Sequence, residues 1–377
     1  MHVLVLGAGQ LARMMALDSA PLGIEIRAYD VRSHTVVHPL TWHDYGDDLS
    51  TGLAKADVVT AEFEHIPNDI LDAAEASGKF LPGAEAIRVG GDRRKEKALL
   101  DRVGVANAPY QVIESIADLH AAVDNIGLPL ILKSALDGYD GKGQWRLKEE
   151  AGIEQLWQEL SQFLQNNRSD QAIIAEAWIP FDREVSIIGV RDKSGQSHCY
   201  ALTENHHHDG ILILSIAPVA DEHLQTLAQD AFEKITNDLD YVGVMAIEFF
   251  AVGDTLLVNE LAPRVHNSGH WTQQGCFTSQ FESHIRAVTG LPIASLEAIQ
   301  PTAMINMIGI DHIPDIVFKT AGAHPHWYDK EARTGRKMGH INLISADLSV
   351  ALEILSKKLS PEDFAGLQTA VTKYLNK

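Results

Sequence analysis

The stretch VGVMAIEFFAVGDTLLVNELAPR, residues 242–264, contains two apolar runs on either side of Gly253-Asp254 and predicts a β-hairpin. If the hairpin turns about Asp254, the opposed pairs are 252 with 256, 250 with 258 and 248 with 260. Glu248 and Glu260 then leave the same face of neighbouring strands with β-carbons about 5 Å apart, where like charges destabilise a sheet. A cation between them would relieve the repulsion. Mg²⁺ fits, because it is often held by one or two carboxylates together with substrate phosphates.

Two points about this hairpin stay open at the level of sequence. The acidic pair is alternatively an exposed edge pair that solvent tolerates. Asn259 is expected on the other face of the strand, since side chains alternate, unless a bulge intervenes.

The bulk properties bound the class of protein. A chain of 377 residues is long for one core and predicts several domains. The net charge of -20 argues against sequence-independent binding to nucleic acid, which needs basic surface. No apolar run approaches a membrane span and the N-terminus does not resemble a signal peptide, so we expect a cytoplasmic protein. Cys199 and Cys276 exclude a disulfide framework and a cysteine-rich metal site, and we expect both to be buried thiols.

The N-terminal residues 3–30 resemble a dinucleotide-binding fingerprint. Gly7, Gly9 and Ala12 satisfy G-x-G-x-x-[GA] after an apolar run, and Asp30 follows about 20 positions later. These residues alone would indicate an NAD(P)-dependent oxidoreductase. Strands and helices alternate up to about Gly104, which predicts a small parallel α/β unit.

Beyond Gly104 the pattern changes to α+β. Helices are expected at 115–126, 149–167 and 221–239, with strands between them. From about Pro301 a last unit is predicted, with strands AMINMIGI and HINLIS on either side of a basic segment and two helices at the end.

Lys133 ends the apolar strand LPLILKS and is followed by a glycine-rich loop. It is either a phosphate ligand or a strand-end lysine whose ammonium reaches solvent. The loop either folds over phosphates or is a plain surface turn. Its members are Gly138, Gly141 and Gly143, with Tyr139, Asp140 and Lys142 as side chains available to a second substrate.

Several other groups suit ligand binding. The strand end Glu176-Ala177-Trp178-Ile179 offers backbone groups to the edge of an adenine ring, and Glu184 is placed to take ribose hydroxyls. The segment PRVHNSGHW, with Arg264, His266, Asn267 and His270, is either a site for a small anion or a hydrogen-bonded loop.

Two basic or histidine-rich clusters complete the set. His206, His207 and His208 cannot all grip one ion on a strand, because successive side chains point to opposite faces. A second cluster is basic and lies near the C-terminus. It is either a solvated hairpin tip or a pocket for a phosphorylated substrate, because arginine side chains bind phosphate oxygens well. That cluster consists of Lys330, Arg333, Arg336 and Lys337.

Taken together, the chain resembles the ATP-grasp superfamily, and within it the ligases that carboxylate 5-aminoimidazole ribonucleotide in purine biosynthesis. The motifs that carry the resemblance are GAGQLARM, DGYDGKGQW, EVSIIG, NELAPRVHNSGHWT and WYDKEARTGRKMGHIN. It implies an α/β and α+β multidomain fold and a homodimer. The implied domains are a Rossmann-like domain at 1–104, a central ATP-grasp domain at 105–298 and a small C-terminal α+β domain at 299–377.

The resemblance also implies site residues. ATP would contact Arg93, Lys133, Gly138, Tyr139, Asp140, Gly141, Lys142, Gly143, Gln144, Glu176, Ala177, Trp178, Ile179, Glu184, His207 and Asn259. Glu248 and Glu260 would bind Mg²⁺. The nearby Arg94, Lys95 and Lys97 leave open which basic side chain of that segment contacts ATP. Lys142 replaces an arginine that is common in the family, which keeps the charge but loses the planar fork.

The implied reaction has two stages. Bicarbonate attacks the γ-phosphate of ATP to give carboxyphosphate, whose carboxyl group the amine of 5-aminoimidazole ribonucleotide then captures. Arg264, His266 and Asn267 would serve bicarbonate and proton handling. The ribonucleotide would contact Gln10, Tyr139, Asp140, Lys330, Arg336 and Lys337, and the first domain would bind no nicotinamide cofactor.

Three alternatives remain at this level. A formate-using ribonucleotide transformylase would share the ATP site but use another acceptor. An NAD(P)-dependent oxidoreductase rests on residues 7–30 alone. A non-catalytic nucleotide sensor is disfavoured by the pair of metal-type carboxylates.

Overall fold

The computed structural model describes residues 1–136, 143–167 and 170–376. The strands are β1 (His2–Leu6), β2 (Glu25–Asp30), β3 (Thr35–Val37), β4 (Val58–Ala61), β5 (Tyr110–Ile113), β6 (Leu130–Ser134), β7 (Gln144–Leu147), β8 (Ile173–Ala177), β9 (Arg183–Arg191), β10 (Ser197–Cys199), β11 (Thr203–His208), β12 (Ile211–Ala217), β13 (Gly243–Val252), β14 (Thr255–Ala262), β15 (Thr302–Ile308), β16 (Ala323–Trp327) and β17 (Lys337–Ile344). The helices are α1 (Gln10–Ser19), α2 (Leu49–Lys55), α3 (Asn68–Ala76), α4 (Ala84–Gly90), α5 (Arg93–Val103), α6 (Ile116–Ile126), α7 (Ile153–Asn166), α8 (Glu222–Asp238), α9 (Thr272–Gly275), α10 (Gln280–Thr289), α11 (Asp315–Lys319), α12 (Leu348–Lys358) and α13 (Leu367–Leu375).

The N-terminal sheet has the strand order β3-β2-β1-β4, with β1 parallel to both β2 and β4. Side chains of β1 alternate between two apolar clusters, as the period of a strand requires. Val3 and Val5 pack with α1 and α10, whereas Leu4 and Leu6 pack with α3 and α4. The sheet is therefore covered on both faces, and the predicted Rossmann-like domain is confirmed.

A small antiparallel sheet follows, in the order β5-β8-β6-β7. Helices α6 and α7 cover one face of it through a shared apolar cluster. Helix α6 lies where the sequence predicts a helix and begins at a capping box, in which Ser115 and Asp118 bond each other's backbone N–H groups. Helix α7 starts at Ile153, later than predicted, because Glu150–Gly152 form a 3₁₀ turn.

The largest sheet has the order β14-β13-β9-β11-β12-β15-β17-β16, with β10 paired to β9. Its two faces bury different helices. Val244 and Ala246 of β13 pack with α10, whereas the alternate residues Met245 and Ile247 pack with α5 and α8. This sheet carries the acidic hairpin at its edge.

The C-terminal strands continue the largest sheet, because β15 pairs with β12. Helices α12 and α13 cover this end through an apolar cluster. Strand β16 was not predicted; it contains Pro325 and lies at the sheet edge, where proline is tolerated. The domain boundaries at 104/105 and 298/299 remain a proposal. One sheet includes strands from both sides of the second boundary.

Both cysteines are free thiols. Cys276 is buried as predicted, whereas Cys199 is partly exposed, contrary to expectation. Burial raises the pKa of each thiol to about 12, so neither is a thiolate at neutral pH.

Candidate active site

The hairpin β13–β14 brings Glu248 opposite Glu260, as predicted, but by a different register. The observed pairs 252 with 255 and 250 with 257 replace the predicted 252 with 256 and 250 with 258. An irregularity next to Glu248 adds one residue on β14 and restores the opposition of the two carboxylates. Burial raises the pKa of Glu248 to about 7, reinforced by the nearby Glu260.

The same bulge decides the direction of Asn259. Its Oδ1 accepts a hydrogen bond from Lys133 Nζ at 3.3 Å, so the amide faces the strand that carries that lysine. The sequence named a bulge as the condition for this placement, and the structure meets the condition.

Lys133 is buried rather than exposed at a strand end. Its Nζ lies 2.6 Å from Glu176 Oε2, while Lys97 Nζ lies 2.9 Å from Glu176 Oε1. Burial alone would raise the pKa of Glu176, but Lys133, Lys97 and Arg93 outweigh it and lower that pKa to about 2. Glu176 is thus an ionised bridge between two buried lysines, and its side chain is committed to them.

Arg93 begins α5 and joins that helix to the acidic hairpin. Its Nη2 lies 3.5 Å from Glu260 Oε2. Glu96, one turn later, accepts a hydrogen bond from the backbone N–H of Leu261 at 2.8 Å. Burial raises the pKa of Glu96 to about 7. The helix therefore contacts both Glu260 and the backbone of the next residue, Leu261.

The strand end after Glu176 has two backbone N–H groups that are already engaged. The N–H groups of Ala177 and Trp178 already donate to the carbonyls of Pro109 and Pro129, at 2.9 and 3.1 Å. They are not available to an adenine edge in this arrangement, because each N–H has one hydrogen to donate. Ile179 O accepts from Phe181 N at 3.0 Å.

The three neighbouring histidines face separate partners. His207 Nδ1 lies 2.9 Å from Glu184 Oε2, and His206 Nε2 lies 3.0 Å from Glu204 Oε1. Burial lowers the pKa of His207, but Glu184 outweighs it and raises that pKa above its ordinary value. His208 Nε2 lies 3.8 Å from Asp209 Oδ2, so each of the three imidazoles is next to a different carboxylate.

The glycine turn before α1 is filled by a side chain of the protein itself. Glu62 accepts hydrogen bonds from Gly9 N and, at 2.8 Å, from Ala12 N. Gly7 has φ +112°, which favours glycine, and a β-carbon there would meet Glu62 Cγ at 2.5 Å. A helix N-terminus favours an anion, and here Glu62 occupies the place that a pyrophosphate takes in dinucleotide-binding folds.

Residues from all three regions of the chain line one cavity of about 480 Å³. Its walls combine the glycine turn, the segment after β14 and the C-terminal basic cluster. The lining includes Gly7, Gly9, Gln10, Asp30, Arg32, Trp42, Glu62, Arg264, His266, Asn267, His270, Tyr328, Lys330, Arg336 and Lys337. The sequence predicted Gln10 and the basic cluster as one binding site, and the structure places them together.

Within this cavity, Lys330 donates to Gln10 Oε1. Burial, helped by Arg336, lowers the pKa of Lys330 to about 8. Arg336 Nη1 bonds the carbonyl of Glu331 at 3.0 Å. Arg333 instead pairs with Glu331 at 2.6 Å, with both side chains exposed, and is not among the residues that line the cavity.

The segment after β14 is held by buried polar partners. Arg264 Nε lies 2.7 Å from Glu64 Oε1. Asn267 exchanges two hydrogen bonds with Asn306, at 3.1 and 2.6 Å. Burial, followed by the charge of Arg264, lowers the pKa of His266 well below its ordinary value.

Several predicted residues are not placed. Gly138, Tyr139, Asp140, Gly141 and Lys142 lie outside the described residues. The neighbouring Gly143 has φ +65°, and a β-carbon there would meet Ser134 Oγ at 2.5 Å. Gln144 opens β7 opposite Lys133.

The sequence analysis did not identify the buried residues that contact the predicted site residues. Glu62 and Glu64 follow β4 directly, and ligands of parallel sheets gather at the carboxyl ends of strands, so that signal was present. Lys97 was named only as a neighbour of Arg93. Asn306 lies inside an apolar strand, and nothing in its spacing marks it.

Comparison with known proteins follows the same three regions. Residues 1–90 match the ribonucleotide synthetase preATP-grasp domain, residues 98–281 the ATP-grasp domain, and residues 302–353 the phosphoribosylaminoimidazole carboxylase C-terminal domain. Within the ranges described, none of the helices combines the length and apolar character needed to cross a bilayer.

The relatives cover the chain from end to end. N5-carboxyaminoimidazole ribonucleotide synthase of Vibrio vulnificus strain CMCP6 is 54% identical over 99% of this chain and 100% of its own. The Escherichia coli K12 enzyme of that name is 39% identical, with 99% of both chains covered.

Solved structures of proteins from the same family are similar to this chain over almost its whole length. The synthetase of Thermus thermophilus is 37% identical with a TM-score of 0.85 over 96% of this chain and 98% of its own. The Aspergillus clavatus synthase in complex with ADP and 5-aminoimidazole ribonucleotide is 29% identical. Its TM-score is 0.80, with 99% of this chain and 98% of its own covered. The chain therefore belongs to the family of N5-carboxyaminoimidazole ribonucleotide synthases, ligases of the ATP-grasp superfamily.

Proposed function

We propose that this protein carboxylates 5-aminoimidazole ribonucleotide with bicarbonate and ATP. A bicarbonate oxygen attacks the γ-phosphorus and ADP leaves. The exocyclic amine then attacks the carbonyl carbon of carboxyphosphate, phosphate leaves and the amine loses a proton. The products are N5-carboxyaminoimidazole ribonucleotide, ADP and phosphate.

The observation that carries this proposal is the shared cavity. Arg264, His266 and Asn267 follow directly after the acidic hairpin. They line the same cavity as Lys330, Arg336 and Lys337. A phosphorylated acceptor bound to Lys330, Arg336 and Lys337 would therefore lie beside the residues assigned to bicarbonate. Positioning and charge neutralisation are the main demands of phosphoryl transfer, and this arrangement serves both.

We assign Mg²⁺ to Glu248 and Glu260. Two opposed carboxylates supply the hard oxygen ligands that this ion prefers, and bound Mg²⁺ would neutralise charge on the triphosphate. Among the described residues, no group of three or more acidic, histidine or cysteine side chains is arranged to hold a metal alone. The remaining ligands would then be phosphate oxygens and water.

We assign the other site residues as follows. Arg93, Lys133 and Asn259 contact the phosphates of ATP, while Glu184 and His207 lie on the side of the ribose. The strand end at 176–179 stays assigned to adenine through groups other than the two N–H donors already engaged. The loop at 138–142 is assigned to ATP and, through Tyr139 and Asp140, to the aminoimidazole. A homodimer in the cytoplasm is part of the proposal.

The test is release of ADP by the purified protein with Mg²⁺. We expect turnover with bicarbonate and 5-aminoimidazole ribonucleotide, and none with formate and glycinamide ribonucleotide. Turnover with the second pair alone would establish a transformylase instead. Tight NADH binding that survives excess ATP would contradict the assignment of the glycine turn.

A further inference from the structure

A chain of buried hydrogen bonds leads through the largest sheet to His266. Ser215 Oγ donates to Asn205 Oδ1 at 2.8 Å, and Asn205 Nδ2 donates to Ser186 Oγ at 2.9 Å. Ser186 Oγ then donates to Ser268 Oγ at 2.9 Å, and Ser268 Oγ lies 2.9 Å from His266 Nδ1. Each of the three serines is fully buried and Asn205 is 4% exposed.

The chemistry of the donors sets the direction of this chain. The amide nitrogen of Asn205 only donates, so Ser186 accepts from it and passes its own hydrogen to Ser268. The hydroxyl hydrogen of Ser268 is then directed to His266 Nδ1. The backbone N–H of Ser268, which also only donates, lies 3.3 Å from the same nitrogen. Two independent donors therefore face Nδ1, which must present a lone pair.

The rest of the surroundings hold His266 in that arrangement. Gln280 bonds both its backbone N–H and its carbonyl, at 2.9 and 2.7 Å. Glu248 Oε1 is 3.7 Å from Nδ1, too long for a hydrogen bond. Because a proton on Nδ1 would point at the two donors of Ser268, this arrangement fits the neutral imidazole and not the imidazolium. A neutral imidazole with a lone pair on Nδ1 carries its proton on Nε2.

We propose that Ser268, oriented by Ser186, Asn205 and Ser215, is a positioning residue that holds His266 in the Nε2–H tautomer. His266 then acts toward bicarbonate as a hydrogen-bond donor, and Nε2 does not act as the base that takes the proton of the amine. The bicarbonate ligand rests on the proposed function. The tautomer rests on the hydrogen bonds alone.

The test reads the tautomer and the kinetics separately. Full-length protein labelled with ¹⁵N-histidine gives imidazole ¹⁵N–¹H correlations without any substrate, and a His266→Gln sample identifies which of the 18 histidines is His266. We expect the Nε2–H pattern in the parent protein. In Ser268→Ala we expect a mixture of tautomers and a kcat about tenfold lower, the cost of one lost hydrogen bond, with KM for ATP within about twofold.

The matched control is Ser283→Ala. Ser283 is equally buried and bonds Tyr200 OH at 2.7 Å rather than the imidazole of His266, so this variant should keep the parent tautomer and kcat. If Ser268→Ala does not fold, Ser186→Ala breaks the chain one bond further from the histidine and should shift the tautomer in the same direction.

An Nδ1–H pattern in the parent protein overturns the proposal. So does a Ser268→Ala protein whose tautomer and kcat both match the parent, or one whose tautomer changes while kcat does not. The tautomer is read without turnover, so a parent protein that shows the Nε2–H pattern but no ADP release with bicarbonate and the ribonucleotide contradicts only the proposed function.

Discussion

The two ends of the active site use positive charge differently. Around β6, Lys97 and Lys133 share one buried carboxylate, that of Glu176, and Arg93 contacts Glu260. Among the described residues that line the cavity, five are lysines or arginines and two are carboxylates, and Arg264 also pairs with Glu64 outside the lining. The first group holds its cations in place before any ligand arrives, whereas the second has an excess of positive charge.

This difference indicates what each end recognises. A preorganised cation next to an acidic pair suits a triphosphate that arrives with its own metal ion, since the metal completes the charge balance. An excess of cations in a chain of net charge -20 suits an anion that arrives alone. The following predictions test this contrast, beginning with the largest effect.

Replacing Glu260 should affect turnover most. Glu260→Gln removes an assigned metal ligand and the carboxylate partner of Arg93. We expect kcat/KM in the ADP-release assay to fall about 10³-fold, roughly 4 kcal/mol of transition-state stabilisation. Asp254→Asn, at the exposed tip of the same hairpin, should leave turnover unchanged. Near-parent activity in Glu260→Gln would refute the metal assignment.

Replacing Glu176 should chiefly reduce stability. Glu176→Gln leaves two buried ammonium groups without their carboxylate, so we expect the free energy of unfolding to fall by about 3 kcal/mol at pH 7. Since the folded pKa is about 2, below the ordinary value, the contribution is fully present above about pH 4.5 and disappears as pH falls through 2. Urea unfolding at several pH values should show the parent and variant converging at low pH.

The control for that measurement is Glu353→Gln, which breaks an exposed pair with Lys357. Its effect should stay below about 1 kcal/mol, as for other surface ion pairs. A Glu176→Gln protein as stable as the parent at pH 7 would mean that the buried lysines are not held by this carboxylate.

Replacing Arg336 should weaken binding of the ribonucleotide. Arg336→Ala should raise its KM about tenfold, or roughly 1.4 kcal/mol, with KM for ATP unchanged. Arg333→Ala is the matched control, because Arg333 belongs to the same basic segment but is exposed and paired with Glu331. An effect confined to ATP would show that the cavity recognises a different ligand.

The smallest expected effect is a pH dependence at Lys330. Its pKa is lowered to about 8, so the ammonium loses its charge as pH rises through that value, and KM for the ribonucleotide should rise a few-fold between about pH 7 and pH 9. Lys330→Arg keeps its charge over this range and should flatten the profile. Identical profiles in both proteins would remove Lys330 from phosphate binding.

The hairpin shows how far sequence reasoning reaches. The opposition of Glu248 and Glu260 was predicted from the turn at Gly253-Asp254, yet the register between turn and carboxylates was off by one. The bulge that corrects it depends on strand twist and on neighbours across the sheet, neither of which is visible in the local pattern.

The glycine turn shows what sequence spacing does not predict. Gly7 and Gly9 fit a dinucleotide fingerprint, but their spacing does not reveal what occupies the turn. Glu62, more than 50 residues later, places its carboxylate at the start of α1. The spacing of the motif therefore predicts the turn but not the acidic side chain that occupies it.

The sequence alone determined the periodic features of this protein: the alternating strands and helices of the first domain, the acidic hairpin, and the residue types that identify an ATP-grasp ligase. The strands, helices and hairpin follow from local backbone preference and hydrophobic period, whereas the ligase was identified from motifs that resemble a known family. Only the tertiary structure decided which charges neutralise one another, as Glu176 does for Lys97 and Lys133. Such pairing depends on burial and on distances between residues far apart in the chain, which local spacing does not contain.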